Sequence, residues 1–270
     1  MKVFLPYRGE FGFVIMMHSP QVYAELSGYD GNSVVFCELG NEALYPGASE
    51  YREVPYLHTD MRREAVDLKL VQQIRNNFMW SGTELVKKAI FIPPDPRAEK
   101  KYFIPKPHVP VGDIIGCDVV VCPRKRGYGP DKNWRHWQPL VNELQSLGLQ
   151  VFAAGAPDSS FDVKTNSGRA WDYSRFLDAS IAAMLSSKFV ISTDNGLAHL
   201  AVVCGRPLAM ISCRNGLVAE GTDDKGRPYW PIQIKRFTKE NHTGSPIEIL
   251  LDTWGSAKAV VSGLRTLRWI

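Results

Sequence analysis

Val119 to Asp158 reads VVVCPRKRGYGPDKNWRHWQPLVNELQSLGLQVFAAGAPD: an apolar strand, a basic loop rich in glycine and proline, an amphipathic helix and a second apolar strand. Trp137, Leu140, Val141, Leu144 and Leu147 recur at helical spacing between two short apolar runs of the kind that parallel sheets bury. The order is a βαβ unit, and it sets the fold class as α/β with a parallel sheet. The loop after the first strand holds Arg124, Lys125, Arg126 and Lys132 within nine positions. Four cations at the carboxyl end of a strand suit a diphosphate, and the competing reading is a solvated charge run.

A second stretch, Val190 to Pro207, VISTDNGLAHLAVVCGRP, repeats the pattern of strand, tight turn and helix amino terminus. The first free N–H groups of such a helix and the positive end of its dipole point beyond the strand, where anions bind. Asp194 is negative and cannot itself ligate an anion, but it can order the turn or hold a positive group or hydroxyl beside a phosphate. His199 is expected one helical turn in, on the face that looks back toward the loop. The plainer reading is that Asp194 and Asn195 cap an ordinary helix.

Around these motifs the chain reads as two halves. Residues 1–108 offer an opening strand, a helix from His18 to Leu26, a strand from Ser33 to Leu39 and a charged helical stretch from Met61 to Asn77. Six prolines between Phe91 and Val111 forbid a regular element and predict an extended crossing. Residues 109–250 alternate strands at Val119, Val151, Phe189 and Leu208 with helices at Trp134 and Tyr173, so both motif loops belong at the carboxyl edge of one doubly wound sheet. Pro246 to Leu267 has helical spacing and no internal proline, and a helix is expected in the last segment, 251–270.

These motifs resemble those of the ADP-heptose lipopolysaccharide heptosyltransferases and their relatives in glycosyltransferase family 9, which have the two-domain GT-B fold. In that family a Lys-x-Trp introduces the first helix of the nucleotide-sugar domain, and here Asp131-Lys132-Asn133-Trp134 stands in its place. The family's Asp-Thr-Gly-Leu-x-His turn is matched by Asp194-Asn195-Gly196-Leu197-Ala198-His199, followed by Gly205-Arg206-Pro207. The resemblance covers about a third of the chain, Val119 to Ser212. It implies two Rossmann-like domains facing a cleft, with 1–108 binding the acceptor and 109–250 the nucleotide sugar, and, as is common in GT-B folds, a terminal helix in 251–270 able to cross back onto the first domain. Lys132 would bind the donor diphosphate, Asp194 would line the sugar and phosphate pocket as part of the catalytic set, and the amides of Asn195 and Gly196 would meet the phosphates. Arg124 and His199 complete the expected donor-binding residues.

The acceptor half departs from the family. There, a Gly-Asp pair after the first strand supplies the general base, but in MKVFLPYRGEFGFVIMMHSPQVYAEL the Asp position falls on Phe13. An inverting transfer needs a base near the acceptor oxygen. Glu10, between Gly9 and Gly12 in the loop expected to face the cleft, is the preferred catalytic candidate; His18 or a residue elsewhere are the others, and a solvated loop carboxylate is the bland reading of Glu10.

With 270 residues, 44% hydrophobic and 22% charged, the composition is that of a globular protein large enough for two compact domains. The absence of a long apolar run or a signal-peptide pattern leads to the expectation of a cytoplasmic protein without a transmembrane segment. Cys37, Cys117, Cys122, Cys204 and Cys213 show no CxxC spacing and read as reduced core residues, giving no support to a zinc site or a cysteine nucleophile. No G-x-G-x-x-G follows either first strand, and no P-loop occurs, which weighs against a dehydrogenase or an NTPase.

The expected chemistry is sugar transfer without a metal or other cofactor, the nucleotide sugar being a co-substrate. Lysine, arginine and a helix amino terminus would neutralise the departing diphosphate. No Asp-x-Asp pair of the kind GT-A enzymes use to hold a metal occurs. One displacement inverts the anomeric carbon. The net charge of +4 is compatible with an anionic acceptor, either a lipopolysaccharide-type glycan or DNA bearing a hydroxymethylated base, the latter making this a DNA-modifying enzyme. Basic and aromatic residues interleave in Arg124–Trp137 and Lys225–Phe237, a mixture that serves nucleic-acid contact or, preferably, packs a loop onto the sheet. A non-catalytic nucleotide-sugar-binding protein and a nucleic-acid-binding module are the alternatives, and the sequence does not fix the oligomeric state.

Overall fold

The computed structural model describes residues 1–6, 11, 14–38, 40–54, 89–90, 92, 99–110, 116–125, 133–193, 195–211, 246–250 and 255–270. The chain divides into two units, Met1–His108 and Val109–Ile270, each containing a parallel sheet, as the expected α/β class requires.

In the first unit, β1 (Lys2–Phe4) leads to a π-helical turn (Val14–His18) that runs directly into α1 (Ser19–Leu26). Pro20 lies at the junction of this turn with α1, where its fixed φ is compatible with the helix. Then come β2 (Ser33–Glu38), a 3-10 turn (Glu42–Leu44), β3 (Glu50–Val54) and β4 (Ala89–Ile90). The order is β3-β2-β1-β4, every pair parallel, with Val3 opposite both Val34 and Ala89. β3, sequence EYREV, carries too many charges to read as a strand, and pairing with β2 makes it one. The stretch Met61–Asn77 lies outside the described residues. Residues 99–108 form no regular element and lie along this unit: the Lys101 N–H donates to Pro20 O at 3.1 Å, and the rings of Phe103 and His108 meet those of Tyr23 and Tyr51 at steep angles.

The second unit runs β5 (Val119–Cys122), α2 (Trp137–Ser146), β6 (Val151–Ala153), α3 (Phe176–Ser186), β7 (Phe189–Ser192), α4 (Gly196–Val203), β8 (Leu208–Ile211), β9 (Ile247–Leu250) and α5 (Ala257–Thr266). Its described strands are all parallel in the order β6-β5-β7-β8-β9. β5 and β7 are buried along their whole length, which explains their unbroken apolar runs. From β5 the chain steps to β6 on one side, and from β7 to β8 on the other. The strand order therefore reverses between β5 and β7, the switch point beyond whose carboxyl ends such sheets bind ligands.

Three local expectations are corrected. The helix expected at Trp134 begins at Trp137, because Pro139 must sit in a first turn; Leu147 is the C-cap and is exposed, not part of the buried stripe. Pro246–Leu267 is not continuously helical. Ile247–Leu250 is a strand that extends the sheet beside β8, and α5 starts only after Gly255, capped by the Ser256 hydroxyl. The buried face of α5, including Val260, Val261 and Leu264, joins the core formed by Trp137, Leu140, Val141 and Leu144 of α2 in the same unit.

Candidate functional site

The register of the central strands builds the site. Cys122, the last residue of β5, is the Cα partner of Ser192, the last of β7. Adjacent strands lie about 4.8 Å apart, so the two motif loops leave the sheet side by side at the switch point. From β5 comes the basic loop: Arg124 is half-buried and Lys125 exposed. From β7 comes the turn into α4.

That turn is tied down by one side chain. Asn195 is the N-cap of α4; its Oδ1 accepts from the N–H of Leu197 at 2.8 Å and of Ala198 at 3.3 Å. Its Nδ2 donates to Ser192 Oγ at 2.9 Å and Thr193 Oγ1 at 3.3 Å, and the Ser192 hydroxyl donates on to Thr193 O. All three residues are buried. The Asn195 carboxamide is thus turned inward as a cap. Of the first-turn donors, those of Asn195 and Gly196 have no acceptor among the described residues.

His199 is fully buried in α4, and desolvation pushes its imidazole down to about 3. It is neutral at pH 7 and adds no positive charge for a diphosphate, contrary to the simplest role for a donor-binding histidine. The thiol of Cys122, beside the Ser192 hydroxyl, is pushed up to about 12 by burial, that of Cys204 to about 12 and that of Cys117 to about 11, so these cysteines are protonated core residues. Cys37 is buried as well, and Cys213 lies outside the described residues.

Two positions from Lys132, Trp134 is almost wholly buried and meets Trp137 edge-on, ring centroids 5.0 Å apart. These tryptophans anchor the end of the basic loop in the core, the packing reading of the aromatic and basic mixture. Lys132, Arg126, Asp194, Glu10, Phe13 and Lys225–Phe237 lie outside the described residues. In the first unit His18 is buried, its Nδ1 3.1 Å from the Tyr45 hydroxyl, and burial lowers it to about 3. It is a packed histidine.

Sequence reading missed the residues that hold these loops. Ser192 and Thr193, two hydroxyls between an apolar strand and Asp-Asn, were a legible capping signal. Ser159–Phe161, which bonds to the basic loop, had none, because the contact joins segments about 35 positions apart in the chain.

No protein-family model matches the sequence, and no curated protein does. Among solved structures the fold is similar over nearly its whole length to the ADP-heptose lipopolysaccharide heptosyltransferase II of E. coli, at 15% identity and a TM-score of 0.54, covering 99% of this chain and 98% of that one. The E. coli heptosyltransferase WaaC with ADP matches at 14% identity and a TM-score of 0.51, covering 98% and 99%. A glycosyl transferase family 9 protein of Veillonella parvula matches at 11% identity and a TM-score of 0.52, covering 98% and 96%. At such identities the likeness establishes the fold, that of the GT-B glycosyltransferases.

Proposed function

We propose that the chain is a glycosyltransferase that moves a sugar from a nucleotide-sugar donor to an acceptor hydroxyl. The observation that carries this reading is the pairing of Cys122 with Ser192, which starts a cationic loop and a helix amino terminus side by side at the switch point. Arg124 and Lys132 from one loop, and the N–H groups of Asn195 and Gly196 from the other, would grip the diphosphate and stabilise it as it leaves. Asp194, between them in sequence, would orient the sugar. With this much positive charge supplied by the protein, transfer would proceed without a metal ion, and turnover should survive EDTA.

The acceptor hydroxyl would attack the anomeric carbon from the face opposite the diphosphate, forming the new C–O bond as the old one breaks and inverting the centre. Its proton would pass to a carboxylate, for which Glu10 is the candidate. The solved structures of similar fold include an ADP-heptose lipopolysaccharide heptosyltransferase and WaaC with ADP and with ADP-2-deoxy-2-fluoro heptose, which makes ADP-sugars the first donors to try.

The test is a screen of nucleotide sugars for thermal stabilisation and donor hydrolysis, followed by transfer to lipopolysaccharide core and to hydroxymethylated DNA side by side. Inverted product on either acceptor is expected. Phe13 at the position of the family's base favours one second reading, a non-catalytic nucleotide-sugar-binding protein. Its mark is donor binding with neither hydrolysis nor transfer.

A further inference from the structure

The basic loop is clipped to a second loop. Beyond β5, Arg124 forms an antiparallel bridge with Ser160, closed by two backbone bonds: the Lys125 N–H to Ser159 O at 2.9 Å and the Phe161 N–H to Pro123 O at 2.6 Å. Those bonds flank the pair, so Arg124 and Ser160 are directly opposed residues whose side chains leave the same face about 5 Å apart. The Ser160 hydroxyl lies close against Gly155, two residues beyond the end of β6. Gly155 has φ +152°, and a Cβ there would overlap the Ser160 hydroxyl. Backbone that close, in a conformation open to glycine alone, seats the second loop against the sheet.

We infer that the Gly155–Phe161 loop is a positioning device for the diphosphate site, holding Arg124 at the rim of β5 through the Arg124–Ser160 bridge. The inference rests on the proposed role of Arg124 and adds a residue, Gly155, that acts on the ligand only through it. Arginine loses substantial side-chain entropy when it is fixed. The two-strand clip leaves that side-chain cost in place but fixes the backbone from which the side chain springs, so the loop's own ordering is met before the ligand arrives, the usual benefit of preorganisation.

A double-mutant cycle on the full chain tests it, with ADP as the probe and calorimetric Kd as the readout, alongside melting temperature. Arg124→Ala should weaken ADP binding by about 10-fold or more, the scale of one charge-assisted phosphate contact. Gly155→Ala, which strains a backbone at φ +152° and displaces the Ser160 hydroxyl, should weaken it by about 10-fold with Arg124 present and by less than about 2-fold in the Arg124→Ala background, because both changes remove one interaction. Additive effects, or a Gly155→Ala variant with a lower melting temperature and unchanged Kd, would overturn the inference by making Gly155 merely structural. Should Gly155→Ala not fold, Ser160→Gly, which slackens the clip without a clash, must show the same non-additivity in smaller measure. If the wild-type chain binds neither ADP nor any other nucleoside diphosphate, the proposed function fails; if wild-type binds and Arg124→Ala is silent, the clip inference fails alone.

Discussion

Asn195 illustrates how a residue can belong to a site without offering its side chain to a ligand. Both ends of its carboxamide are engaged inside the protein, so Asn195→Ala should cost about 1–2 kcal/mol of stability through the lost cap. Chemical denaturation reads that loss; a change below about 0.3 kcal/mol would contradict the capping role. Lys132 and Glu10 carry different expectations. Lys132→Ala should raise the donor Kd by removing a contact worth about 1.5–3 kcal/mol. Glu10→Gln should lower kcat while leaving donor Kd nearly intact, since a base acts on the acceptor, and full activity in that variant would move the base elsewhere. The residue types that carry charge were legible in sequence because their chemistry depends on little else. The cap by Asn195 was legible as the plainer reading of the turn, whereas the burial of His199 was not, because packing around α4 sets it.

Elements were legible where period and punctuation agree. α2 was readable from its apolar stripe, and Pro139 could have placed its start; β5 and β7 were readable as unbroken buried runs. β9 was not, since Ile247–Leu250 fits either a strand or a helical turn and only the neighbouring β8 decides. The contact of α2 with α5 likewise joins distant segments. Leu140 lies fully buried at its centre, and Leu140→Ala should destabilise the second unit by about 2–5 kcal/mol. Denaturant unfolding checks this, and a shift under about 1 kcal/mol would mean that the α2 interface is not a packed core.

Among the described residues each unit buries one neutral histidine, His18 in the first and His199 in the second, each lowered to about 3. In the unfolded chain a histidine titrates near 6.5. Between about 6.5 and 3 the unfolded state therefore binds more protons, so the stability contributed by each neutral imidazole is complete above pH 6.5 and is lost as pH falls toward 3. The slope approaches about 1.4 kcal/mol per pH unit for each unit. Melting temperatures should be flat from pH 7 to about 8, below the range in which the unfolded chain's thiols ionise, and fall steadily from about pH 6 to 4.5; a constant value over the acid range would mean that the histidines are not buried neutral.

The account centres on a diphosphate gripped by two loops of one sheet, and a comparison of diphosphate with monophosphate affinity tests that most directly. For the nucleoside that binds best, the diphosphate should bind at least about 10-fold tighter than the monophosphate, the added phosphate gaining charge-assisted bonds of about 1.5–3 kcal/mol. Equal affinity for the two nucleotides would contradict it.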